Sequence, residues 1–394
     1  MKLDEEQRMV RDSVREFLEN EIAPELPEAD RTPLTKAEAI EYMQTMAEID
    51  VGPYARDTFD DPITNTLVRE EVARVWPSLQ VTMGMSMVVE MLDLFSERTR
   101  DAYATEREND ELVGCFAITE PDGGSDTKVP NTTAVKDGDE YVLNGEKTWV
   151  SNAPIADVAL IVAWDDEQDR RDMFLIDQKT APFETTQLEK LGWKGSPTGQ
   201  MFLDDCRIPQ DNKLSRAVMN AMSDGRMGSG DSFFGTTATS ANPLNTMFAS
   251  MRNGMATISV GIMQAAYEAA INYATDREVF DKPIGQHQLI QEKLYTIRAG
   301  LETSRLLTRH TAERIAADDP EARMLSSLSK GWVCEKSIEV TNEALQIYGG
   351  NGLSKDYPLE RYYRDARTMT IPDGTTEIQK LVVGYELTDM QAYK

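Results

Sequence analysis

With 394 residues and 40% apolar content, the chain is long enough to bury a large core in more than one lobe. Mean hydropathy is −0.46, and no uninterrupted apolar run approaches the roughly 18 residues of a membrane span. The 68 acidic against 41 basic side chains leave a formal net charge of −27, which disfavours phosphate backbones, and nucleic acid with them, as partners.

The plain reading of that acidic surface is solubility; a high-salt cytoplasm is a second. Three cysteines, Cys115, Cys206 and Cys334, lie in no metal-ligand spacing and read as small buried hydrophobes. His287 and His310 come with no nucleophile-elbow motif. Zinc chemistry is therefore not expected, and the reaction falls to a carboxylate and a borrowed cofactor. The acidic, polar start MKLDEEQRMV resembles neither a secretory signal nor a transit peptide. Cytoplasm is the default location, with an organelle matrix after processing left open.

The first third reads as helical. Val10, Val14, Phe17 and Leu18 form one apolar stripe, with Asp4 placed to cap its start and Pro24 to end it. Further helices are expected through TKAEAIEYMQTMAEI and NTLVREEVARVW, and SLQVTMGMSMVVEMLDLF, apolar nearly all round, reads as one buried helix. Near residue 113 the pattern changes. In YVLNGEKTWV, Asn144-Gly145 between two β-prone runs signals a hairpin. The runs DVALIVAW, RDMFLID and GQMFLDDCRIP continue as strands of a compact antiparallel sheet or barrel.

Residues 223–243, rich in Gly, Ser and Thr, read as a flexible linker or mobile loop. Helices then return: Ile290, Leu294, Ile297 and Leu301 repeat at helical spacing, and 244–275, 321–346 and a stretch after Gly374 complete a bundle. The expected architecture is α+β, with a helical N-terminal domain (1–112), an antiparallel β-barrel-like middle domain (113–222), the loop 223–243, and a C-terminal four-helix bundle (244–394).

Five segments carry chemistry. In CFAITEPDGGSD, a Gly123-Gly124 turn beside Ser125 can offer backbone amides to a flat or anionic ligand, although such turns are usually only turns. In KTWVSN, Trp149 and Ser151 share one strand face; Trp149 either caps the barrel core or forms a wall against a planar cofactor. In DREVFDKPIGQHQLIQEKL, Arg277 can meet a phosphate near a helix start, or form a surface ion pair. In QIYGGNGLSKDYPLERYYRDAR, the glycines after a helix permit close backbone approach or merely end the helix, and no strand precedes them as a Rossmann turn requires. In IPDGTTEIQKL, Asp373 or Thr375 can cap the next helix; alternatively Asp373 is a general base at a cleft edge.

Taken in order, these segments resemble the acyl-CoA dehydrogenase family, whose TEPxxGSD signature matches Thr119 to Asp126 and whose QxxGGxG signature with its RD pair matches Gln346 to Asp365. The resemblance covers nearly the whole chain. It implies a homotetramer that binds FAD between middle domain and bundle, acts on an acyl-CoA thioester and passes electrons to an electron-transfer flavoprotein. Thr119, Trp149 and Ser151 would contact the isoalloxazine, with Ser125 near the pantetheine or a flavin phosphate. Arg277, Phe280 and Gln288 match positions holding the FAD of the neighbouring subunit, Gln346 and Gly350 match others at its pyrophosphate, and Thr375 and Glu377 match further flavin contacts. Ser125, Glu90, Arg252 and Gly374 fall at the substrate side.

The sequence departs from the family at the base. Most relatives read Glu-Gly-Thr where this chain has Asp373-Gly374-Thr375, and the alternative glutamate position before an arginine reads Ser250-Met251-Arg252. Asp373 is the candidate base by elimination. It is one methylene shorter, on the order of 1 Å, a misplacement that can cost roughly 100-fold in rate. Some relatives acting on alicyclic acyl-CoAs resemble it in using aspartate, which suggests a ring-bearing or α-branched acyl group. The position expected to hold an arginine for a distal glutaryl carboxylate reads Gly84, and the Glu-Tyr-Gly-Gly stretch of the N-terminal domain is missing. Glu90 either faces solvent, pairs with an arginine, or lines the acyl pocket. The rival readings are an oxidase or reductase on the same scaffold, and a non-catalytic flavin-binding relative.

Overall fold

The computed structural model describes residues 2–55, 59, 61–126, 128–227, 232–233, 236–237 and 243–392. Most of the linker expected over 223–243 lies outside the described residues.

Helix α1 (Glu5–Phe17) opens with a capping box. The Asp4 carboxylate accepts the Gln7 N–H at 2.8 Å, and the Gln7 side chain accepts the Asp4 N–H at 3.1 Å. Val14 and Leu18, at the centre of the predicted stripe, are buried. After α2 (Leu26–Ala29) come α3 (Lys36–Ala47), capped by Thr35, and α4 (Pro62–Val75), capped by Asp61 with Pro62 at its first turn.

The apolar run expected as one helix is two: α5 (Pro77–Ser86) and a 3-10 turn series, Met87–Leu94. The break has a cause. The Thr82 carbonyl, which would accept the next backbone N–H in the ladder, is taken by the Ser86 hydroxyl at 2.9 Å and the Asn152 amide at 2.8 Å. Helices α6 (Glu97–Ala102) and α7 (Ala104–Glu108) close this domain.

The middle domain is a curled seven-stranded sheet of β1 (Gly114–Ala117), β2 (Thr133–Asp137), β3 (Glu140–Ser151), β4 (Val158–Asp165), β5 (Arg170–Asp177), β6 (Glu184–Gln187) and β7 (Thr198–Pro209). Its order is β1-β4-β2-β3-β7-β6, with β5 on β4. The antiparallel expectation needs correction, because β4 pairs in parallel with both β1 and β2. The β2–β3 hairpin forms the crossover from β1 to β4, and β3 with the turn after it the one from β2 to β4.

A second correction concerns Asn144-Gly145. The hairpin turn falls at Gly138-Asp139, where Asp137 pairs with Glu140, and Gly138 takes φ +60°. Asn144 and Gly145 sit inside β3 at a bulge opposite β7. Gly145 has φ +150°, and a Cβ there would lie 2.6 Å from the Thr132 hydroxyl. The Asn144 side chain closes the bulge by accepting the Asp205 N–H at 2.8 Å.

Helix α8 (Leu214–Ser223) leaves the sheet, and the short strands β8 (Ser232–Phe233) and β9 (Thr236–Thr237) pair antiparallel. The bundle is built from α9 (Pro243–Asp276), α10 (Gln288–Ala316), α11 (Ala322–Tyr348) and α13 (Thr376–Thr388), with α12 (Leu359–Thr368) across one side. A small hairpin, β10 (Glu278–Val279) and β11 (Lys282–Pro283), joins α9 to α10. The predicted Ile297 and Leu301 are fully buried in the bundle. Among the described residues no helix is long and apolar enough to cross a membrane.

The three parts meet at the loop 190–196. From the N-terminal domain, the Asp30 carboxylate accepts from the Trp76 indole (2.8 Å), the Ser78 hydroxyl (2.8 Å) and the Gly195 N–H (3.2 Å). From the bundle side, Asp365 accepts the Trp193 N–H at 2.7 Å. The half-buried Lys190 ammonium donates to the carbonyls of Trp193 and Ser196. Each aspartate keeps one buried oxygen without a partner. Burial, with Asp30 adding like charge, pushes the Asp365 carboxyl up to about 7 against the pull of the Trp193 N–H, Arg361 and Arg364. A folded-state value raised above the ordinary carboxylate range gives stability that is fully present at low pH and lost as pH rises through about 7. Burial lowers Lys190 to about 8, so its contribution runs the other way at higher pH. Melting temperature should therefore fall as pH rises from about 5 to about 8, and Asp365→Asn, which mimics the protonated acid, should flatten that slope. Parallel melting curves for the two proteins would count against this account.

Candidate active site

The chain between α12 and α13 turns through Thr370–Thr375, and Asp373 and Gly374 both take left-handed backbone conformations, φ +55° and +90°. Such a conformation costs an L-residue roughly 1–2 kcal/mol, so the turn must be held from outside. Two buried side chains hold it. Lys330 on α11 donates to the carbonyls of Thr370 (3.1 Å) and Gly374 (2.6 Å), and the Gln379 amide donates to those of Asp373 and Gly374, both at 3.0 Å.

The two sequence readings of this turn separate here. Thr375 caps α13, its hydroxyl accepting the Ile378 N–H at 3.4 Å. The Asp373 carboxylate is not used as the cap: its Oδ2 is buried and makes no hydrogen bond. The residue as a whole keeps part of its surface accessible. Burial raises its carboxyl above the ordinary range, and the cations of Lys330 and Arg252 pull it partway back. The structure thus brings Asp373, Gly374 and Arg252 together. Arg252 projects from α9, its guanidinium 6.0 Å from the Phe248 ring.

Glu90 lies elsewhere, on the 3-10 segment, at the edge of a cavity of about 580 Å³ whose walls include Tyr54, Val89, Arg100 and Arg107. Asp373 is not among those walls. Glu90 is an exposed residue, yet the protein crowded around its carboxyl pushes it up to about 7, opposed by Arg69 of α4. Both plain readings hold in part, because the side chain reaches solvent and faces an arginine.

On the sheet, Thr119 follows β1, and its carbonyl accepts the Thr148 N–H at 2.9 Å, which sets it beside Trp149. Trp149 takes φ +59° within an irregularity of β3 and is 59% exposed. The reading that it caps the barrel core is therefore wrong; Val150 turns inward in its place, and Ser151 turns out again. Below the turn Pro121–Ser125, a buried ion pair links Glu120 to Lys147 at 2.6 Å. The Glu120 carboxylate also accepts the N–H groups of Asn131 and Thr132. Gly123 spends its N–H on the Glu120 carbonyl, while Ser125 stays exposed.

The remaining predicted residues gather at the opposite end of the bundle. Arg277 is exposed and, among the described residues, makes no ion pair, so the surface-pair reading fails. Phe280, at the tip of the β10–β11 hairpin with φ +57°, is 84% exposed. Gln288 starts α10, and Gln346 and Gly350 stand exposed where α11 ends, with Gly349 at φ +57° as C-cap. A Cβ on Gly350 would meet nothing within 4 Å. Along α11, Lys330 and Gln346 are separated by roughly 24 Å of helix. One chain therefore carries two clusters too far apart to serve one small ligand.

Sequence reasoning missed Lys330, Gln379 and Arg69. Lys330 could have been found, because it falls at helical spacing on the stripe of Val333, Cys334 and Ser337, all buried, where a lysine needs a reason.

Three family profiles match in order: acyl-CoA dehydrogenase N-terminal domain over residues 4–105, middle domain over 115–206 and C-terminal domain over 242–388. The chain is 31% identical over 399 residues to the mitochondrial short-chain specific acyl-CoA dehydrogenase of Mus musculus, covering 98% of this chain and 91% of that one. It is 32% identical over 403 residues to the glutaryl-CoA dehydrogenase of Desulfococcus multivorans, covering 98% and 97%. Among solved structures, a glutaryl-CoA dehydrogenase in complex with glutaryl-CoA superposes with a TM-score of 0.82 at 30% identity, covering 100% of this chain and 98% of that one. With all three domains matched in order and the fold shared, the chain belongs to the acyl-CoA dehydrogenase family.

Proposed function

We propose that this protein desaturates the Cα–Cβ bond of an acyl-CoA thioester, with Asp373 as the base that removes the α-proton and FAD as its cofactor. The observation that carries this reading is the buried, unpartnered Asp373 Oδ2 on a turn held by Lys330 and Gln379. A carboxylate in that condition keeps a free lone pair and a raised proton affinity, which suit it to take a proton from a weak carbon acid.

The residues present fit FAD. An exposed indole face at Trp149, bare backbone at Gly349 and Gly350, and an uncompensated Arg277 suit a group that is flat at one end and phosphorylated in its middle. On this reading Thr119, Ser125, Trp149, Ser151, Thr375 and Glu377 of one subunit hold the ring end. Arg277, Phe280, Gln288, Gln346 and Gly350 of a second copy hold the rest, in accord with the distance between the two clusters. FAD, when bound, supplies the acceptor for the β-hydride. On this reading Arg252 and Gly374 border the thioester, Ser125 the pantetheine and Glu90 the far part of the acyl pocket, and an electron-transfer flavoprotein is the partner that removes the electrons. A homotetramer in the cytoplasm is the expected state. The short reach of Asp373 favours a ring-bearing or α-branched acyl group, whose α-carbon can be pressed closer to the base.

Asp373→Asn should retain the yellow colour while the rate of flavin bleaching by acyl-CoA falls about 100-fold or more; undiminished bleaching would remove Asp373 from the reaction. In the wild type, kcat/KM should rise with pH through a midpoint above the ordinary aspartate value of about 4, because the base must be ionised. Bleaching by a panel of straight, branched and alicyclic acyl-CoAs identifies the acyl group. Arg277→Ala should lower the FAD content that survives gel filtration, and full occupancy would show that this arginine does not hold the cofactor.

A further inference from the structure

We propose that Lys330 is a positioning residue for this reaction, its buried ammonium clamping the backbone on both sides of Asp373 and so fixing where the base points. This rests on the reading of Asp373 as the base.

Lys330 is fully buried on α11, and its Nζ spans the turn, donating to Thr370 O at 3.1 Å and Gly374 O at 2.6 Å. Among the described residues it forms no ion pair with the Asp373 carboxylate. It grips the turn's backbone and leaves Oδ2 free. A cation enclosed in this way loses hydration worth several kcal/mol, and two carbonyls are modest compensation. A purely structural clamp could be neutral, as Gln379 is: its amide donates to the carbonyls of Asp373 and Gly374.

The charge adds what an amide lacks. The charged groups facing Asp373 are Lys330 from α11 and Arg252 from α9. Those facing Lys330 are Cys334 on its own helix, Asp373, Glu377 on α13 and Arg252. Lys330 thus offsets part of the desolvation that would otherwise keep Asp373 protonated. The turn has two clamps, one neutral and one charged, and the charged one sets both the geometry and the ionisation of the base.

The test uses the FAD-loaded enzyme and its best acyl-CoA substrate. Lys330→Met should lower kcat about tenfold or more with little change in KM, and should move the midpoint of the kcat/KM–pH profile upward by about a unit. Lys330→Gln, which keeps a neutral donor group, should recover part of kcat and leave the midpoint high. Gln379→Leu should lower kcat without moving the midpoint. An unshifted midpoint in both Lys330 variants overturns the proposal, as does an equal shift in Gln379→Leu. If neither Lys330 variant folds, the Gln379→Leu profile still decides: a static midpoint supports the division of labour and a moved one refutes it. Failure of the base reading looks different, since Asp373→Asn would then keep wild-type bleaching.

Discussion

A carboxylate oxygen removed from water and given no partner costs several kcal/mol, and at Asp373 that cost falls on a residue already in an unfavourable backbone conformation. Neither condition can be met locally. The turn Thr370–Thr375 keeps its shape because α11 supplies Lys330 and α13 supplies Gln379, and because Thr375 takes over the capping of α13. Had the aspartate served as the cap, its oxygens would be spent on backbone N–H groups and its proton affinity would fall. The separation of cap and acid into two neighbouring residues leaves one of them available for chemistry.

The N-terminal domain is held against the bundle by a charged seam. Helix α4 carries consecutive buried glutamates. Glu70 accepts from Arg305 at 2.9 and 2.5 Å and from Arg309 at 3.4 Å. Glu71 accepts from Arg15 and Arg74, which also reach Glu268 on α9. Breaking one partner of such a buried network typically costs 3–5 kcal/mol, because it strands the others. Close approach of α4 to α9 depends on Gly261, where a Cβ would fall 2.5 Å from the Glu70 carbonyl. Farther along the same contact, the Arg69 guanidinium lies 3.5 Å from where Gly254 would carry a Cβ. The network thus sets the distance between the helix bearing Arg252 and the N-terminal domain bearing Glu90.

Much of this was legible in the chain. Helical stripes, the cap at Asp4 and the order helices–strands–helices follow from spacing and residue type alone, because helices are local objects. The sheet was harder. Asn144-Gly145 has the composition of a turn, yet the turn formed at Gly138-Asp139, and the pair became a bulge required by Thr132 and Asp205 from distant segments. Parallel pairing of β4 with β1 and β2 left no local mark. At the site, Asp373 was identified by its place in a motif, but its freedom from capping could be learned only from the hydrogen bonds. Lys330 escaped notice because a lone lysine in a helix is ordinarily a surface residue. The carbonyls that explain it belong to a turn some forty residues later.

The net charge of −27 looks at odds with a ligand that carries phosphates. The conflict resolves on length scale. At physiological ionic strength, exposed charges are screened beyond about 8 Å, so the acidic surface contributes little at groups enclosed by protein. There the nearest cations dominate: Arg252 and Lys330 beside Asp373, and Arg69 opposite Glu90. At the other end of the bundle, Arg277 stands without an acidic partner among the described residues. The acidic surface can therefore coexist with local sites where a few cations set the field. Two of them, Lys330 and Arg252, also favour the ionised form of Asp373 against its burial, so local positive charge here acts on an acidic group that the surface charge scarcely reaches.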